Sequence, residues 1–396
     1  MPKTRFKAIN LVAVFLYEPT KKNYVLATLL DDIIVSHTDN HQNEQKMAIL
    51  KQEMYGSRIT VASDYYASLY SAFMISIPNP RLVDDANLFS TSIEVLKELI
   101  YAHNNLNIEI FNNRKRMILE AFLSLKNDKR RFSRVVFSDE ILRDTILPTY
   151  QETIDIIKET TLDDFMSFYL NTVLKGKRVL LANGPLTDDE NSIFFESFKQ
   201  DEITHESPYS FLEDKEPTLY RSDILALQTE ICLSYKTVIK DLNESMAANL
   251  ANIILGGAFE SRLFLYIREE LGLCYDISSR YNRNFSLLSI TAGVDPKNVD
   301  IAYQEIKKTI DQFIEKGINS DELSLAKEKA KSALLSRSES QMSYINDHLE
   351  NIISGLDNSI ENKFLIINKM TLNEVNKFIS TLKPYHGHIF RGNRND

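Results

Sequence analysis

The sequence predicts an α+β protein of two homologous half-domains, each a mostly antiparallel sheet with helices packed on one face. Three observations support this fold class: apolar, β-branched runs alternate with amphipathic helical stretches, one such unit occurs twice, and a polar, acidic segment separates the copies. We expect an N-terminal half over residues 1–205, a linker over 206–222 and a C-terminal half over 223–396.

The duplication is visible as landmarks that recur in the same order. "FMISIPNPRLVDDANLFSTSIEVLKELI" and "SLLSITAGVDPKNVDIAYQEIKKTIDQFI" both run strand, proline turn, amphipathic helix. Three landmark pairs share one sequence separation: Gly56 with Gly272, Tyr65 with Tyr281, and Pro80 with Pro296. Two such pairs could coincide by chance, but three in order indicate a duplicated unit.

The elements of the two halves follow one another in the same order. "AINLVAVFLYE" opens the first half and "TEICLSYKTVI" the second, and both are rich in the apolar and β-branched residues of buried strands. A helix, further strands and a long helical tail follow in each copy. "KQDEITHESPYSFLEDKEPTLYRSD" contains two prolines and many charges, a composition typical of a linker.

The charge and cysteine content exclude several classes of protein. Lysine and arginine total 46 against 55 acidic residues, and the formal charge of −9 argues against general nucleic-acid binding. The basic clusters "NNRKRM" and "NDKRRF" fall in helix-like sequence, where a solvated helix face is predicted. Cys232 and Cys274 are too few for a disulfide scaffold, which favours a reducing compartment.

No apolar run approaches the ~20 residues that span a bilayer, so no membrane segment is expected. The apolar run near the start ends directly in Glu18 and Pro19 without a small-residue cleavage site. It is better interpreted as a buried strand than as a signal peptide. We therefore expect a cytoplasmic protein.

The stretch "LYIREELGLCY", residues 265–275, holds one arginine and one tyrosine at the junction of a helix and a strand. A helical stripe of apolar residues precedes Gly272, which suits the left-handed residue that ends a helix. A guanidinium such as that of Arg268 can hold a peptide carbonyl or a carboxylate, and a phenol such as that of Tyr275 can donate to an oxygen that gains charge. From these residues alone, a surface arginine and a half-buried tyrosine are the simpler interpretation.

The longer segment "ILGGAFESRLFLYIREELGLCYDISSRY" resembles the C-terminal half-domain of the pitrilysin/insulinase family of zinc metallopeptidases. The matching residues are Gly256-Gly257, Ser261-Arg262-Leu263-Phe264, Ile267-Arg268-Glu269 and Gly272-Leu273-x-Tyr275. The resemblance implies two halves that face each other across a chamber. It implies that one half holds zinc through an inverted HxxEH helix and a downstream glutamate, while the other offers an arginine and a tyrosine to the substrate. Arg268 and Tyr275 are similar to that pair.

The zinc half of this chemistry is missing from the sequence. The resemblance places HxxEH on residues 28–32, where the three working positions become Thr28, Asp31 and Asp32, none of them an imidazole. Zinc needs about three nitrogen, sulfur or carboxylate ligands, and adjacent aspartates point about 100° apart on a helix. The downstream glutamate falls at Glu120 or Ala121 in "MILEAF". We therefore expect no metal in this chain.

Two further histidine pairs are candidate sites. "HTDNH", His37 to His41, would match HxxEH except that Asn40 replaces the glutamate, and an asparagine cannot act as a general base. Its composition predicts a surface loop. "YHGH", with His386 and His388, is expected to be an ordinary strand end, since no cysteine or acidic residue lies beside it in the sequence.

These features predict a non-catalytic subunit of a heterodimeric zinc metallopeptidase. The chain would be inactive alone, would bind no cofactor itself, and would lend Arg268 and Tyr275 to oligopeptide hydrolysis at the zinc site of an HxxEH-bearing sister subunit. Tyr55-Gly56-Ser57 and "SLKNDKRRF", residues 124–132, resemble inactive bacterial members of the family, which usually accompany such a sister.

Two alternatives stay open at this point. The first is a catalytically inert peptide-binding or scaffold protein of the same fold. The second is a self-sufficient metallopeptidase that uses Asp31, Asp32 or the His37/His41 pair. A homodimer stays open for the isolated chain, and neither nucleic acid nor membrane is expected as a partner.

Overall fold

The structure, a computed structural model, describes residues 6–209 and 212–393. Residues 1–5 of the predicted N-terminal half, 210–211 of the linker and 394–396 of the C-terminal half lie outside the described residues. The strands are β1 (Ala8–Tyr17), β2 (Arg58–Tyr66), β3 (Ser68–Pro78), β4 (Lys177–Asn183), β5 (Thr218–Ile224), β6 (Thr229–Lys236), β7 (Cys274–Asn282), β8 (Leu287–Val294) and β9 (Lys383–Gly392).

The α-helices are α1 (Lys21–Ile33), α2 (Glu44–Glu53), α3 (Pro80–Val83), α4 (Leu88–Tyr101), α5 (Ile108–Ser124), α6 (Lys129–Leu142), α7 (Tyr150–Glu159), α8 (Leu162–Phe168), α9 (Asp188–Ser197), α10 (Leu242–Leu255), α11 (Val299–Lys316), α12 (Ser320–Ser338), α13 (Gln341–Ser354), α14 (Ile360–Lys369) and α15 (Leu372–Ile379). Among the described helices, none combines the length and the apolar composition needed to cross a membrane.

The chain forms two compact units, each assembled from separate stretches of sequence. Within the described residues, unit 1 runs to Leu123 and adds Leu142–Glu206 and Ser340–Gly355; all other described residues form unit 2. The predicted halves were continuous, whereas here α6 belongs to unit 2 and α13 to unit 1. The change at residue 206 to 207 coincides with the start of the predicted linker, but residues 218–222 are part of β5 because β5 pairs with β9.

Unit 1 contains an antiparallel sheet of order β2-β3-β1-β4. β1 is buried on both faces, and its alternate residues point to opposite sides. One face joins the main core with α1 and α4, and the other face packs against Ile345, Leu349 and Ile353 of α13. The α+β prediction with mostly antiparallel sheets is confirmed, but a helix also covers the second face, because both faces of β1 are apolar.

Unit 2 contains a sheet of order β5-β9-β6-β8-β7, antiparallel except for the β5–β9 pair. Its edge strand β7 follows Gly272, whose φ is +60°. In unit 1 the edge strand β2 follows Gly56, whose φ is +74°. The landmarks that indicated a repeat therefore have the same role in both units: each glycine takes up the left-handed backbone that leads from a helix into the edge strand.

Candidate functional site

The helix that carries Arg268 is wider than an α-helix and ends where the sequence predicted. Phe264–Glu270 form a π-helical segment, a form that is frequent at functional sites. The amide of Leu273 donates to the carbonyl of Ile267 at 3.0 Å, which closes the helix over the left-handed Gly272. β7 then begins at Cys274.

An aromatic ring restrains the Arg268 guanidinium at the surface. The guanidinium carbon lies 4.7 Å from the centre of the Phe264 ring, a cation–π contact, and Nε lies 3.6 Å from a Glu269 oxygen. The positive charge of Arg268 also acts on Cys274 at the start of β7. Burial and Asp276 raise the pKa of Cys274 to about 11, and Arg268 opposes this shift. With 38% of its side chain exposed, Arg268 can still meet a carbonyl or carboxylate.

Tyr275 is exposed because the strand pairing is interrupted at its position. The β7–β8 register pairs Asp276 with Gly293 and leaves Tyr275 as an extra residue in a β-bulge. Ile277 and Ser279 are buried, so a regular alternation would bury position 275 as well. Instead, Tyr275 is 54% exposed. Its phenol is therefore available as a hydrogen-bond donor.

An exposed aromatic side chain packs on the same ring as Arg268. Phe259 is 75% exposed and makes an edge-to-face contact with Phe264, with ring centres 5.3 Å apart. Leu265 is 49% exposed. The sequence analysis missed this surface, although the pattern "AFESRLFL" carried a signal: its aromatic residues exceed what one buried helical stripe needs. It offers an apolar contact beside a cation.

The degenerate metal positions lie in unit 1, and their polar groups bind elsewhere in the chain. The Thr28 hydroxyl donates to the Tyr24 carbonyl at 3.3 Å. Asp31 accepts from the Ser63 amide at 2.9 Å and from the Ser63 hydroxyl at 2.7 Å. Burial raises the pKa of Asp31 to about 6 in spite of these bonds. Asp32 accepts hydrogen bonds from Arg114 instead.

Arg114 supplies an internal cation beside these positions. It extends from α5, donates to both oxygens of Asp32 at 3.3 Å, and also pairs with Glu44 of α2. Glu120, the expected third ligand, is 63% exposed and approaches Arg116 at 3.9 Å instead. Zinc therefore does not fit these positions: they offer no imidazole, Asp31 is bound by Ser63, and Asp32 is paired with the Arg114 guanidinium.

The described residues contain no group of three or more histidine, cysteine, aspartate or glutamate side chains placed to hold a metal ion. The "HTDNH" segment is a loop as predicted, and only part of it lies at the surface: His37 and Thr38 are buried, whereas Asn40 is exposed. His41 Nδ1 lies 2.7 Å from Glu98, so this loop is fastened to α4. This geometry does not support a self-sufficient metal site, whether it is built on Asp31 and Asp32 or on His37 and His41.

The histidines of "YHGH" do have an acidic partner, contrary to the prediction. His386 and His388 lie side by side on β9, and Glu140 of α6 contacts them at 2.8 and 3.0 Å. Hydrogen bonds from both rings hold the pKa of Glu140 at about 2, although burial alone would raise it. The partner comes from a distant part of the sequence, which is why local spacing did not reveal it.

The prediction of solvated faces for the two basic clusters is only half right. Arg116 of the first cluster is exposed, whereas Arg114 is only 17% exposed and bound by carboxylates. In the second, Arg130 binds the buried Glu230 at 2.9 Å and also contacts Asp276. These arginines tie helices to neighbouring elements of their own unit.

Comparison with known proteins agrees with this picture. A profile for the family described as "Peptidase M16 inactive domain" matches residues 159–330. The chain is 22% identical to the probable inactive metalloprotease YmfF of Bacillus subtilis, over 75% of this chain and 72% of that protein. It is 27% identical to the non-peptidase homolog YmxG of Helicobacter pylori, over 73% and 68%.

The fold is shared with solved structures. A conserved protein from Enterococcus faecalis matches with a TM-score of 0.90 at 18% identity, covering 100% of this chain and 96% of that chain. The profile and the named relatives, the two-unit α+β fold and the missing zinc ligands agree with one another. Residues 159–330 thus match the inactive domain of peptidase M16, the pitrilysin/insulinase family, and the chain is similar to proteins named as an inactive metalloprotease and a non-peptidase homolog. Its sequence contains no HxxEH motif.

Proposed function

We propose that this chain is the non-catalytic subunit of a heterodimeric zinc metallopeptidase and acts together with a sister subunit that carries HxxEH. One observation carries the proposal: Arg268 and Tyr275 stay exposed on unit 2, while Thr28, Asp31 and Asp32 are bound within unit 1. The chain thus keeps the groups that would contact a substrate and has lost those that would hold an ion. Zinc is expected in the sister subunit.

The two exposed side chains would divide the work on the scissile peptide. Arg268 would hold a substrate carbonyl or carboxylate through its planar donor edge, which orients the peptide. Tyr275 would donate its phenol proton in a hydrogen bond to the carbonyl oxygen as that oxygen gains charge. Phe259 contacts the same Phe264 ring as Arg268, and its exposed surface suits a side chain of an unfolded oligopeptide.

The test starts with the sister subunit. An affinity-tagged chain expressed in its own organism should co-purify with an HxxEH-bearing M16 chain that mass spectrometry identifies. The pure chain should bind no zinc and cleave nothing, whereas the mixture should cleave quenched fluorescent oligopeptides. A mixture that cleaves no member of a broad peptide set would contradict the proposal.

Tyr275→Phe should lower kcat of the mixture by roughly 10²–10³, the loss seen when one oxyanion donor is removed. Arg268→Ala should mainly raise KM, because it removes substrate binding. Tyr101→Phe and Arg116→Ala are matched controls, since both side chains are exposed but lie on unit 1, and both should leave kcat and KM unchanged. Full activity in both Tyr275→Phe and Arg268→Ala would remove these residues from the mechanism.

The second candidate is an inert peptide-binding or scaffold protein of the same fold. The exposed aromatic surface at Phe259, beside Arg268, favours it, because this surface could bind a peptide without any metal. This candidate predicts that the chain binds oligopeptides in fluorescence anisotropy but that no mixture hydrolyses them. Either complex is placed in the cytoplasm by this proposal, in keeping with the two free, buried cysteines Cys232 and Cys274.

A further inference from the structure

α6 packs on the sheet of unit 2 through charged side chains as well as through the buried Phe137, which stacks on His386. Arg130 and Arg134 both reach Glu230 of β6, with Nε distances of 2.9 and 2.6 Å. Glu230 is only 1% exposed. Burial raises its pKa, and the two arginines oppose this shift. The helix is thus fixed by a buried carboxylate, which a solvated helix face would not need.

The same arginines reach a second carboxylate across the sheet. Strand register places Glu230 on β6 opposite Gly293 on β8, and Gly293 opposite Asp276 on β7, so the three residues form one row. Arg130 contacts Asp276 directly and Arg134 approaches it at 3.5 Å. Both guanidinium groups therefore reach both ends of the row, and of the two it is Arg130 that hydrogen-bonds Asp276.

The middle of that row has room for this bridge only because it is glycine. A Cβ at Gly293 would lie 2.6 Å from Oδ1 of Asp276, 3.2 Å from Nη2 of Arg130 and 3.3 Å from Oε1 of Gln228. The first distance is shorter than a van der Waals contact allows. Any side chain at position 293 would displace the carboxylate or the guanidinium.

The bridged carboxylate belongs to the residue that defines the β-bulge. Asp276 is paired with Gly293 immediately after the extra residue Tyr275, so the position of Asp276 fixes where the bulge occurs. We propose that Arg130 is a positioning residue for Tyr275: by holding Asp276 beside Gly293, it keeps the bulge that presents the Tyr275 phenol on the exposed side. The functional meaning of this inference rests on the proposed function; its structural content does not.

A spectroscopic test needs no sister subunit. The full chain is labelled with 3-fluorotyrosine, and the Tyr275 ¹⁹F resonance is assigned as the line lost in Tyr275→Phe. Arg130→Met keeps the length of the side chain and removes the bridge. We expect a displaced Tyr275 resonance, or a second one with a population of roughly 10% or more, because strand pairing without the bulge becomes accessible.

Arg221→Met is the matched control. It breaks an exposed ion pair of the same unit, Arg221 with Asp300 at 2.9 Å, and should leave the Tyr275 line in place. Gly293→Ala provides a second route, since it disturbs the row without changing any charge, and it decides the matter if Arg130→Met does not fold. An unmoved Tyr275 line in every folded variant of the row would overturn the inference, even if that variant were less stable.

With an active sister mixture, Arg130→Met should lower kcat in the same direction as Tyr275→Phe, and the double variant should be no worse than Tyr275→Phe alone. Loss of activity in Tyr275→Phe together with an unmoved ¹⁹F line in Arg130→Met would leave the proposed function standing and refute this inference. A displaced Tyr275 ¹⁹F line in Arg130→Met, together with a mixture that never cleaves peptides, would support this inference and contradict the proposed function.

Discussion

Replacing Glu140 by glutamine tests how strongly α6 is fastened to β9. Glu140 accepts hydrogen bonds from His386 and His388, whose other ring nitrogens contact Thr218 Oγ1 at 2.7 Å and Ser222 Oγ at 2.8 Å. The two histidine side chains are 2% and 8% exposed. Glutamine has nearly the same shape but lacks the charge, so the change removes the charge-assisted part of these bonds.

The magnitude follows from the pKa of Glu140. It is about 2 in the folded chain, where the histidine hydrogen bonds outweigh burial, against an ordinary value of 4.5. At 1.36 kcal/mol per unit of pKa, the carboxylate stabilises the fold by about 3 kcal/mol at pH 7. Because the folded pKa is the lower one, this contribution is complete above pH 4.5 and is lost as the pH falls toward 2.

The assay is equilibrium urea unfolding of the wild type and Glu140→Gln, at pH 7 and at intervals down to pH 3. The free energy of unfolding should differ by about 3 kcal/mol at pH 7, and the difference should shrink as the pH falls below 4.5. Glu120→Gln, at an exposed helix position 3.9 Å from Arg116, should change it by less than about 1 kcal/mol. A Glu140→Gln loss that is the same at every pH would refute the reasoning.

Two further predictions concern unit 1. Burial raises the pKa of Asp31 from 3.8 to about 6, so its contribution to stability is fully present below pH 3.8 and is lost as the pH rises through 6. Asp31→Asn should remove this pH dependence and should be at least as stable as the wild type at pH 7. Urea unfolding across that pH range measures this, and a marked loss of stability at pH 7 would contradict it. Restoring the motif with Thr28→His, Asp31→Glu and Asp32→His should still give no stoichiometric zinc by elemental analysis, because the Arg114 guanidinium lies beside these positions and repels a cation. Adding Arg114→Ala should raise the zinc affinity, and tight binding by the triple variant alone would show that the guanidinium is no obstacle.

Much of the fold was predictable because it depends on local periodicity and on repetition. The strand patterns at β1 and β6, the left-handed glycines Gly56 and Gly272, and the helix stop before Tyr275 were all legible in the sequence. Each of these features depends on backbone geometry within a few residues, where side-chain type leaves little choice.

The helix exchange between units was not predictable in the same way. α6 and α13 look like ordinary continuations of the helices before them. The unit that each helix joins depends on partners far away in sequence. Glu140 of α6 contacts His388 of β9, and Ile345 of α13 packs on the second apolar face of β1. A local pattern shows that such a helix has a polar or apolar stripe, but it does not show which surface the stripe will meet.

The sequence by itself indicated a duplicated α+β protein that resembles peptidase M16 and has no imidazole at residues 28, 31 and 32, and it singled out Arg268 and Tyr275. Only the tertiary structure decided how Tyr275 comes to be exposed. A bulge depends on which residues of two strands pair, and here that pairing includes Gly293 and a bridge from Arg130, a residue of a distant helix. Hydrogen-bond register and ion pairs between remote segments are properties of the folded arrangement, so no stretch of sequence read alone contains them.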